Sequence, residues 1–200
     1  MIIGLTGSIA SGKSTVAKML EKLQLPIVDA DQVARIVVEP GTETLQQIAQ
    51  AFGEEIILPD GQMDRKKVGD LIFHDPKKRK QLNDIIHPAI RKEMLRQRDE
   101  HLRNGALNVV MDIPLLFESQ LQHFVERILV VSVTEENQLT RLMERNQLSF
   151  EEAKARISSQ LPISVKEKGA DAVIYNNTDL ASTERQLHHI LKEWGVEQEL

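Results

Sequence analysis

The run Gly7-Ser8-Ile9-Ala10-Ser11-Gly12-Lys13-Ser14 satisfies the pattern G-x-x-x-x-G-K-[ST] in full. Backbone N–H groups of such a loop wrap phosphate oxygens at a helix N-terminus, where the helix dipole also favours negative charge. Lys13 would reach the β- and γ-phosphates of a nucleoside triphosphate, and Ser14 offers an oxygen to Mg²⁺. The flanks agree, with apolar Ile2 to Thr6 reading as a strand before the loop and Val16 to Leu23 as an amphipathic helix after it. A plain glycine-rich turn requires neither. Gly7, Ala10, Ser11, Gly12, Lys13, Ser14 and Thr15 are therefore the candidate nucleotide-binding residues.

Two acidic positions have a spacing that chemistry can use. Asp29-Ala30-Asp31 follows a short apolar pair, Ile27-Val28, at the edge of a parallel sheet that faces the ligand crevice. A carboxylate there can accept the proton of a substrate hydroxyl during phosphoryl transfer. Asp31 can equally cap a helix over Gln32 to Val38. Leu107-Asn108-Val109-Val110-Met111-Asp112 reads as a buried strand ending in an acid, the form of a Walker B element whose Asp orders the Mg²⁺ shell. A strand-end Asp can instead satisfy loop N–H groups.

Arg141 and Arg145 lie four apart on one predicted helix and share a face, with Arg156 on the next helix. Such arginines can neutralise charge on a migrating phosphoryl group, or form surface ion pairs with Glu144 and Glu152. His87 precedes Pro88, which predicts an extended backbone at a break in helical structure and makes it a better ligand candidate than the surface pair His188-His189. An isolated histidine is more ordinarily a hydrogen-bonded structural residue. Lys77-Lys78-Arg79-Lys80 reads as a solvated helix face, the alternative being help in holding an anionic substrate. Pro114-Leu115-Leu116-Phe117-Glu118 is too apolar for an ordinary exposed loop and suggests a wall that packs on something. Zinc-ligand spacing is absent.

These residues need a frame that presents them together. Short aliphatic runs at Ile2 to Thr6, Ile27-Val28, Leu107 to Met111, Ile128 to Val133 and Val173 to Tyr175 alternate with helical stripes, the pattern of a parallel sheet wrapped by helices. The stripes are Val16, Met19, Leu20, Leu23; Leu45, Ile48, Ala49, Phe52; Leu139, Leu142, Met143, Asn146; and Leu187, Ile190, Leu191, Trp194. Residues 31–105 are too long for a simple crossover and read as an inserted helical region, with a turn at Pro59-Asp60-Gly61 and a break or kink at Pro88. A second insertion over residues 141–168 begins a polar helix at Ser149-Phe150-Glu151-Glu152, which has capping-box spacing and suits a lid. The core is left as residues 1–30, 106–140 and 169–200.

Composition narrows the class further. The chain has 200 residues, 41% hydrophobic and 28% charged, an ordinary globular balance for one domain with elaborations. A net charge of -5 gives no general positive field for nucleic acid, so an anionic ligand must be held locally. The chain lacks cysteine, which removes disulfides and thiolate chemistry and fits a reducing cytoplasm. The apolar start stops at Gly7, too short for a signal or membrane helix. No nucleic-acid or membrane partner is expected.

The order of these motifs closely resembles the bacterial dephospho-CoA kinase family. The resemblance runs through Ile3-Gly4-Leu5-Thr6-Gly7 into the phosphate loop, Val28-Asp29-Ala30-Asp31 with Ala34-Arg35, Val38-Glu39-Pro40-Gly41, His87-Pro88, Pro114 to Glu118, the lid stretch Arg141 to Gln160, and Ala170-Asp171 to Asn177. It implies an α/β, three-layer P-loop kinase core with a five-stranded parallel sheet, a helical CoA-binding insertion and a helical lid. It also implies transfer of the γ-phosphate of ATP, with Mg²⁺, to the ribose 3′-hydroxyl of dephospho-CoA. Asp31 would be the base, Lys13 and Arg141 would stabilise the phosphoryl group, and Ser14 with Asp112 would hold the metal. Arg145, Asn176 and Asn177 would belong to the ATP side, and Arg35, His87 and Pro114, Leu115, Leu116, Phe117 and Glu118 to the acceptor side. Glycine is commoner in the family at Ser8 and Ala10, so contacts there rest on backbone N–H groups. Another P-loop metabolite or nucleotide kinase is the alternative. A guanine-specific switch would show an N-K-x-D motif, which this chain lacks.

Overall fold

A computed structural model describes residues 1–196. In chain order the elements are β1 (Ile2–Gly7), α1 (Lys13–Lys22), β2 (Ile27–Asp29), α2 (Ala30–Ile36), α3 (Glu43–Phe52), α4 (Arg65–Phe73) and α5 (Pro76–Arg103). They continue as β3 (Val109–Asp112), β4 (Arg127–Ser132), α6 (Glu135–Asn146), α7 (Phe150–Ser158), α8 (Ile163–Lys168), β5 (Ala172–Tyr175) and α9 (Leu180–Glu193). Two compact units result, Met1–Val28 with His101–Leu200, and Asp29–Glu100. Among the described residues no helix is long and apolar enough to cross a membrane.

The sheet is parallel, in the order β2-β3-β1-β4-β5. β1 is central, pairing Leu5 with Asp112 of β3 on one side and Gly7 with Val131 of β4 on the other. Its near-continuous burial from Ile3 to Gly7 is what a strand covered on both faces requires. The connection after β1 runs to β2 on one side and the connection after β3 runs to β4 on the other, so the C-terminal ends of β1 and β3 flank a topological switch point. The phosphate-loop sequence begins there. On one face, Val16, Met19 and Leu20 of α1 and Leu187, Ile190 and Leu191 of α9 form one cluster with Ile3, Leu5, Val110, Leu129, Val131 and Ile174. Each fully buried aliphatic side chain contributes about 1.5–3 kcal/mol. β3 starts at Val109 rather than at the expected Leu107, which is 84% exposed. In α6 the inward stripe contains Gln138 as well as Leu142, while Leu139 is only half-buried.

The largest fully buried side chain is charged. Lys166 of α8 is 0% exposed, and its Nζ donates to the Gly7 carbonyl at 3.2 Å and pairs with Glu118 Oε1 at 2.8 Å. Its neighbour Glu167 accepts from Ser132 Oγ at 2.6 Å, so one short helix is tied by two polar side chains to the ends of β1 and β4.

The Asp29–Glu100 unit is helical, with Thr42 capping α3 at Leu45 N and Asp64 capping α4 at Lys67 N. The Pro59-Asp60-Gly61 turn forms, with Gly61 at φ +83 donating to Leu58 O at 2.8 Å. The expected break at Pro88 does not form, because α5 continues through it and His87 is helical rather than extended. Proline removes a single i to i−4 bond, and the carbonyl it orphans belongs to Asp84, an exposed position that water can reach. The Asp29-Ala30-Asp31 ambiguity also resolves. β2 ends at Asp29, whose side chain caps α2 by accepting from Asp31 N at 2.8 Å and Gln32 N at 3.1 Å.

The phosphate-loop backbone is bent in two places, with Ala10 at φ +60 and Gly12 at φ +90. Gly12 is obligatory, since a Cβ there would lie 2.0 Å from Asn176 Nδ2. Ala10 carries a left-handed conformation that costs a non-glycine residue about 1–2 kcal/mol. Replacing it by glycine relieves this but frees the unfolded chain by about 0.4–1 kcal/mol. Ala10→Gly should therefore hold or raise Tm by about a degree or two; a clear fall in a thermal melt would show that the methyl group is needed. Lys166→Met, which leaves Glu118 without its partner, should lower the unfolding free energy by about 3 kcal/mol. Denaturant titration would read this, and Lys166→Met combined with Glu118→Gln should recover part of it. An unchanged midpoint for the single variant would mean that the buried pair contributes nothing.

Candidate active site

Side chains cap α3, α4, α6, α7 and α9 at Thr42, Asp64, Thr134, Ser149 and Asp179. At α1 the cap position is Gly12, which offers no side chain. The Lys13 and Ser14 N–H groups in the first turn of α1 thus stay available to a ligand, as an anion site requires, while Thr15 N donates to Gly12 O at 2.9 Å. The loop's carbonyls are turned to other partners. Gly7 O accepts from Lys166 Nζ at 3.2 Å, Ile9 O from Gln138 Nε2 at 2.8 Å, and Ser11 O from Asn176 Nδ2 at 2.9 Å. Ile9 N donates to Gln160 Oε1 at 2.8 Å, so residue 9 is gripped from both sides. Gly7 must lack a Cβ, which would fall 2.6 Å from Ser11 Oγ and 2.7 Å from Val131 O. Ser11 Oγ is itself buried without a hydrogen-bond partner.

Lys13 and Asp112 meet directly. The Lys13 ammonium pairs with Asp112 Oδ1 across the mouth of the sheet, with side-chain exposures of 19% and 8%. Register explains the contact, because Asp112 ends β3 beside Leu5 of β1 and the loop then carries Lys13 back over that edge. Ser14 is exposed in the first turn of α1 and Thr15 is half-buried behind it.

Arg141 is half-buried on α6, and Arg145, one turn on, is exposed with Nε donating to Asn146 Oδ1 at 2.9 Å. The ion pairs considered from sequence do not form: among the described residues of this unit neither arginine pairs with Glu144 or Glu152. Glu152 is committed to the α7 capping box, where the Ser149 backbone N–H and then its hydroxyl hold the carboxyl below its usual value. Arg156 is exposed on α7.

Asn176 holds Ser11 O through its amide and accepts from Thr183 Oγ1 at 2.9 Å through its oxygen, so both ends of the side chain are used inside the protein. Asn177 Oδ1 accepts from Thr134 N at 2.7 Å and fixes the start of α6. The apolar wall divides by residue. Leu116 is fully buried, Leu115 is 44% exposed, and Phe117 lies against Gly169, where a Cβ would come within 2.5 Å of its ring. Pro114 O accepts from Thr6 Oγ1 at 3.0 Å, and Glu118 accepts from Lys166 and from Leu161 N while its Oε2 is buried without a partner.

In the Asp29–Glu100 unit, Asp31 is exposed in the first turn of α2 and its carboxylate makes no bond within that unit. Arg35 is exposed one turn later on the same helix, and His87 is exposed on α5. The residues that sequence reasoning missed are Gln138, Lys166, Glu167 and Thr183. Gln138 and Thr183 sit four residues before Leu142 and Leu187 on apolar stripes, a polar residue at core spacing, and that signal was readable. Nothing local marks Lys166 among the charges of α8.

Comparison with known proteins agrees with this geometry. A sequence model of the family described as dephospho-CoA kinase matches residues 1–182. The chain is 50% identical to a dephospho-CoA kinase of Bacillus anthracis over 196 residues, covering 98% of both chains. Among solved structures it is similar to TT1252 of Thermus thermophilus, with a TM-score of 0.80 and 35% identity over 96% of this chain and 97% of that one. A dephospho-CoA kinase from Campylobacter jejuni follows with a TM-score of 0.74 and 31% identity, covering 96% of each chain. With the phosphate loop, the parallel sheet and near end-to-end similarity all in agreement, the chain belongs to the dephospho-CoA kinase family, enzymes of the final step in coenzyme A synthesis.

Proposed function

We propose that this chain binds Mg²⁺-ATP on the phosphate loop and transfers the γ-phosphoryl group to the ribose 3′-hydroxyl of dephospho-CoA, in the cytoplasm. The observation that supports it most directly is the loop itself: a helix N-terminus with no side-chain cap, whose Lys13 and Ser14 N–H groups are free while carbonyls of the loop are tied back by Lys166, Gln138 and Asn176. That is an electrostatic cradle prepared before the ligand arrives, which is where phosphoryl transfer gains most.

Within this reading Lys13 contacts the β- and γ-phosphates, and Arg141 offsets the charge that spreads over the phosphoryl oxygens. Thr15 and Arg145 lie on the ATP side, and Asn176 and Asn177 act there by holding the loop and the start of α6. Ser14 and Asp112 are hard oxygen donors of the type Mg²⁺ takes alongside phosphate oxygens and water. When bound, the metal would supply positive charge at the β- and γ-oxygens. Asp31 accepts the 3′-hydroxyl proton as that oxygen forms its bond to the γ-phosphorus, and the bond from phosphorus to the β,γ-bridging oxygen breaks with its electron pair leaving on ADP. The Asp29–Glu100 unit supplies the acceptor side through Arg35 and His87, with Leu115 of the 114–118 segment presenting apolar surface.

A coupled ADP-release assay with dephospho-CoA, adenosine, AMP and shikimate as acceptors tests the whole. Turnover should require dephospho-CoA and give a product heavier by one phosphoryl group at the ribose; turnover with another acceptor, or with none, would overturn it. Asp31→Asn should keep ATP binding and lose about 10²-fold or more in kcat. Asp29→Ala, which removes only a helix cap, should cost about 1 kcal/mol of stability and much less in kcat. Equal turnover by Asp31→Asn and wild type would take the base role from Asp31.

A further inference from the structure

Both backbone groups of Ile9 in the phosphate loop are held by glutamine side chains from distant parts of the chain. Gln138 Nε2 of α6 donates to Ile9 O at 2.8 Å, and Ile9 N donates at 2.8 Å to Oε1 of Gln160, which lies between α7 and α8. Gln138 is buried on the inward stripe of α6 that also carries Leu142. A buried amide is tolerated at such a place only where its hydrogen bonds are met. Neither glutamine has a part in the chemistry proposed above.

Peptide geometry turns these two bonds into a direction. In a planar trans peptide the C=O and N–H point opposite ways, and no cis bond occurs among the described residues. Holding Ile9 O towards α6 therefore turns the Ala10 N–H away from α6. That N–H makes no hydrogen bond among the described residues, like those of Lys13 and Ser14. In the preceding peptide Ile9 N faces Gln160, while Ser8 O accepts from Ser11 N at 3.1 Å. With both peptide planes fixed, Ala10 is kept at φ +60, a conformation that a residue with a Cβ holds only when its surroundings impose it.

The same two glutamines bracket the lid. Gln138 lies one turn before Arg141 on α6, and Gln160 follows α7, which carries Arg156. Both ends of the arginine-bearing segment are thus bonded to one residue of the loop.

We propose that Gln138 and Gln160 are positioning residues for phosphoryl transfer, a clamp on Ile9 that aims the Ala10 N–H at the phosphate oxygens of ATP and ties the lid to the loop. The inference rests on the reading above that ATP occupies the loop. Neither glutamine touches the nucleotide in this arrangement. The aimed donor is the Ala10 N–H, and a fixed donor contributes most as charge develops on the oxygen it faces.

Steady-state kinetics, and amide NMR with isotopically labelled alanine, test the clamp in wild type, Gln138→Leu, Gln160→Met and Gln160→Glu. In wild type the Ala10 amide proton should move downfield when ATP and Mg²⁺ are added without acceptor; in Gln138→Leu and Gln160→Met that shift should be lost or much reduced. With dephospho-CoA, kcat should fall about ten- to a hundredfold in both variants, less than deleting an aimed donor outright. KM for ATP should move by no more than about threefold, the mark of an interaction made mainly in the transition state. Gln160→Glu, whose carboxylate can still accept from Ile9 N, should recover part of the loss. The double variant should lose less than the product of the single losses, because both act through one residue. A purely structural role would lower Tm and leave kcat and the Ala10 shift of the folded enzyme unchanged. If wild type turns over dephospho-CoA while folded Gln138→Leu and Gln160→Met match it in kcat and in the Ala10 shift, the clamp is wrong and the function stands. Should Gln138→Leu not fold, Gln160→Met decides, at a position that is only half-buried. If wild type shows neither turnover nor an Ala10 shift with ATP, the nucleotide reading has failed and the clamp falls with it.

Discussion

The structure around the nucleotide loop depends on one constraint: with Ile9 N and Ser11 N already bonded within the protein, the loop must keep its remaining N–H groups for the ligand, so its carbonyls need partners elsewhere. Backbone acceptors cannot be left unpaired in a buried place without a cost comparable to a lost hydrogen bond. Three side chains meet the requirement at alternate residues, Lys166 at Gly7, Gln138 at Ile9 and Asn176 at Ser11. They come from α8, from α6 and from the loop after β5. The elements that follow β4 therefore complete the loop from behind, and the order of the sheet makes this possible, since β4 and β5 lie on the side of β1 away from β3.

The same constraint accounts for a buried lysine, which is otherwise a poor choice. Moving an ammonium from water into the interior costs several kcal/mol, repaid only when its donors are met. Lys166 has both a carboxylate and a carbonyl within reach, and the carboxylate, Glu118, also accepts from Leu161 N. A neutral donor would satisfy Gly7 O but would leave the half-buried Glu118 carboxylate with no counter-charge and only the Leu161 N–H. Polar pairing at this point thus links the segment after β3, the turn between α7 and α8 and the first residue of the loop into one network. Gln160, between α7 and α8, adds a second link by accepting from Ile9 N.

Much of the frame was legible in the sequence because its signals are local. Alternation of aliphatic runs and stripes located all five strands and the helices that cover them, and Ser149 with Glu152 announced its capping box. The phosphate loop was legible because glycine positions and a following helix are themselves the mechanism. The assignment between Asp29 and Asp31 was not, because it turns on where β2 stops, a matter of one residue. Pro88 misled for a related reason: a helix of 28 residues absorbs one missing bond that a shorter one would not. Gln138, Lys166 and Asn176 reach partners 129, 159 and 165 residues away, and no window along the chain contains both ends. Asn176 and Asn177 were singled out by family resemblance, and their side chains are engaged within the protein.

The distribution of ion pairs bears on how a chain of net charge -5 handles anions. Many basic side chains on the helices and strand ends have acidic partners nearby, as in Lys80 with Asp84, Arg96 with Glu93 and Glu100, and Arg127 with Asp171. Such exposed pairs contribute little to stability, but they remove those charges from competition for a ligand. Arg141, Arg145 and Arg156 in one unit, and Arg35, Arg65 and Arg91 in the other, have no such ion pair within their own units. An acidic surface repels polyanions at long range, where screening is incomplete, while a few unpaired guanidinium groups act over contact distances. Holding an anion on such a chain is then a matter of where guanidinium groups are left without counter-ions, not of overall charge.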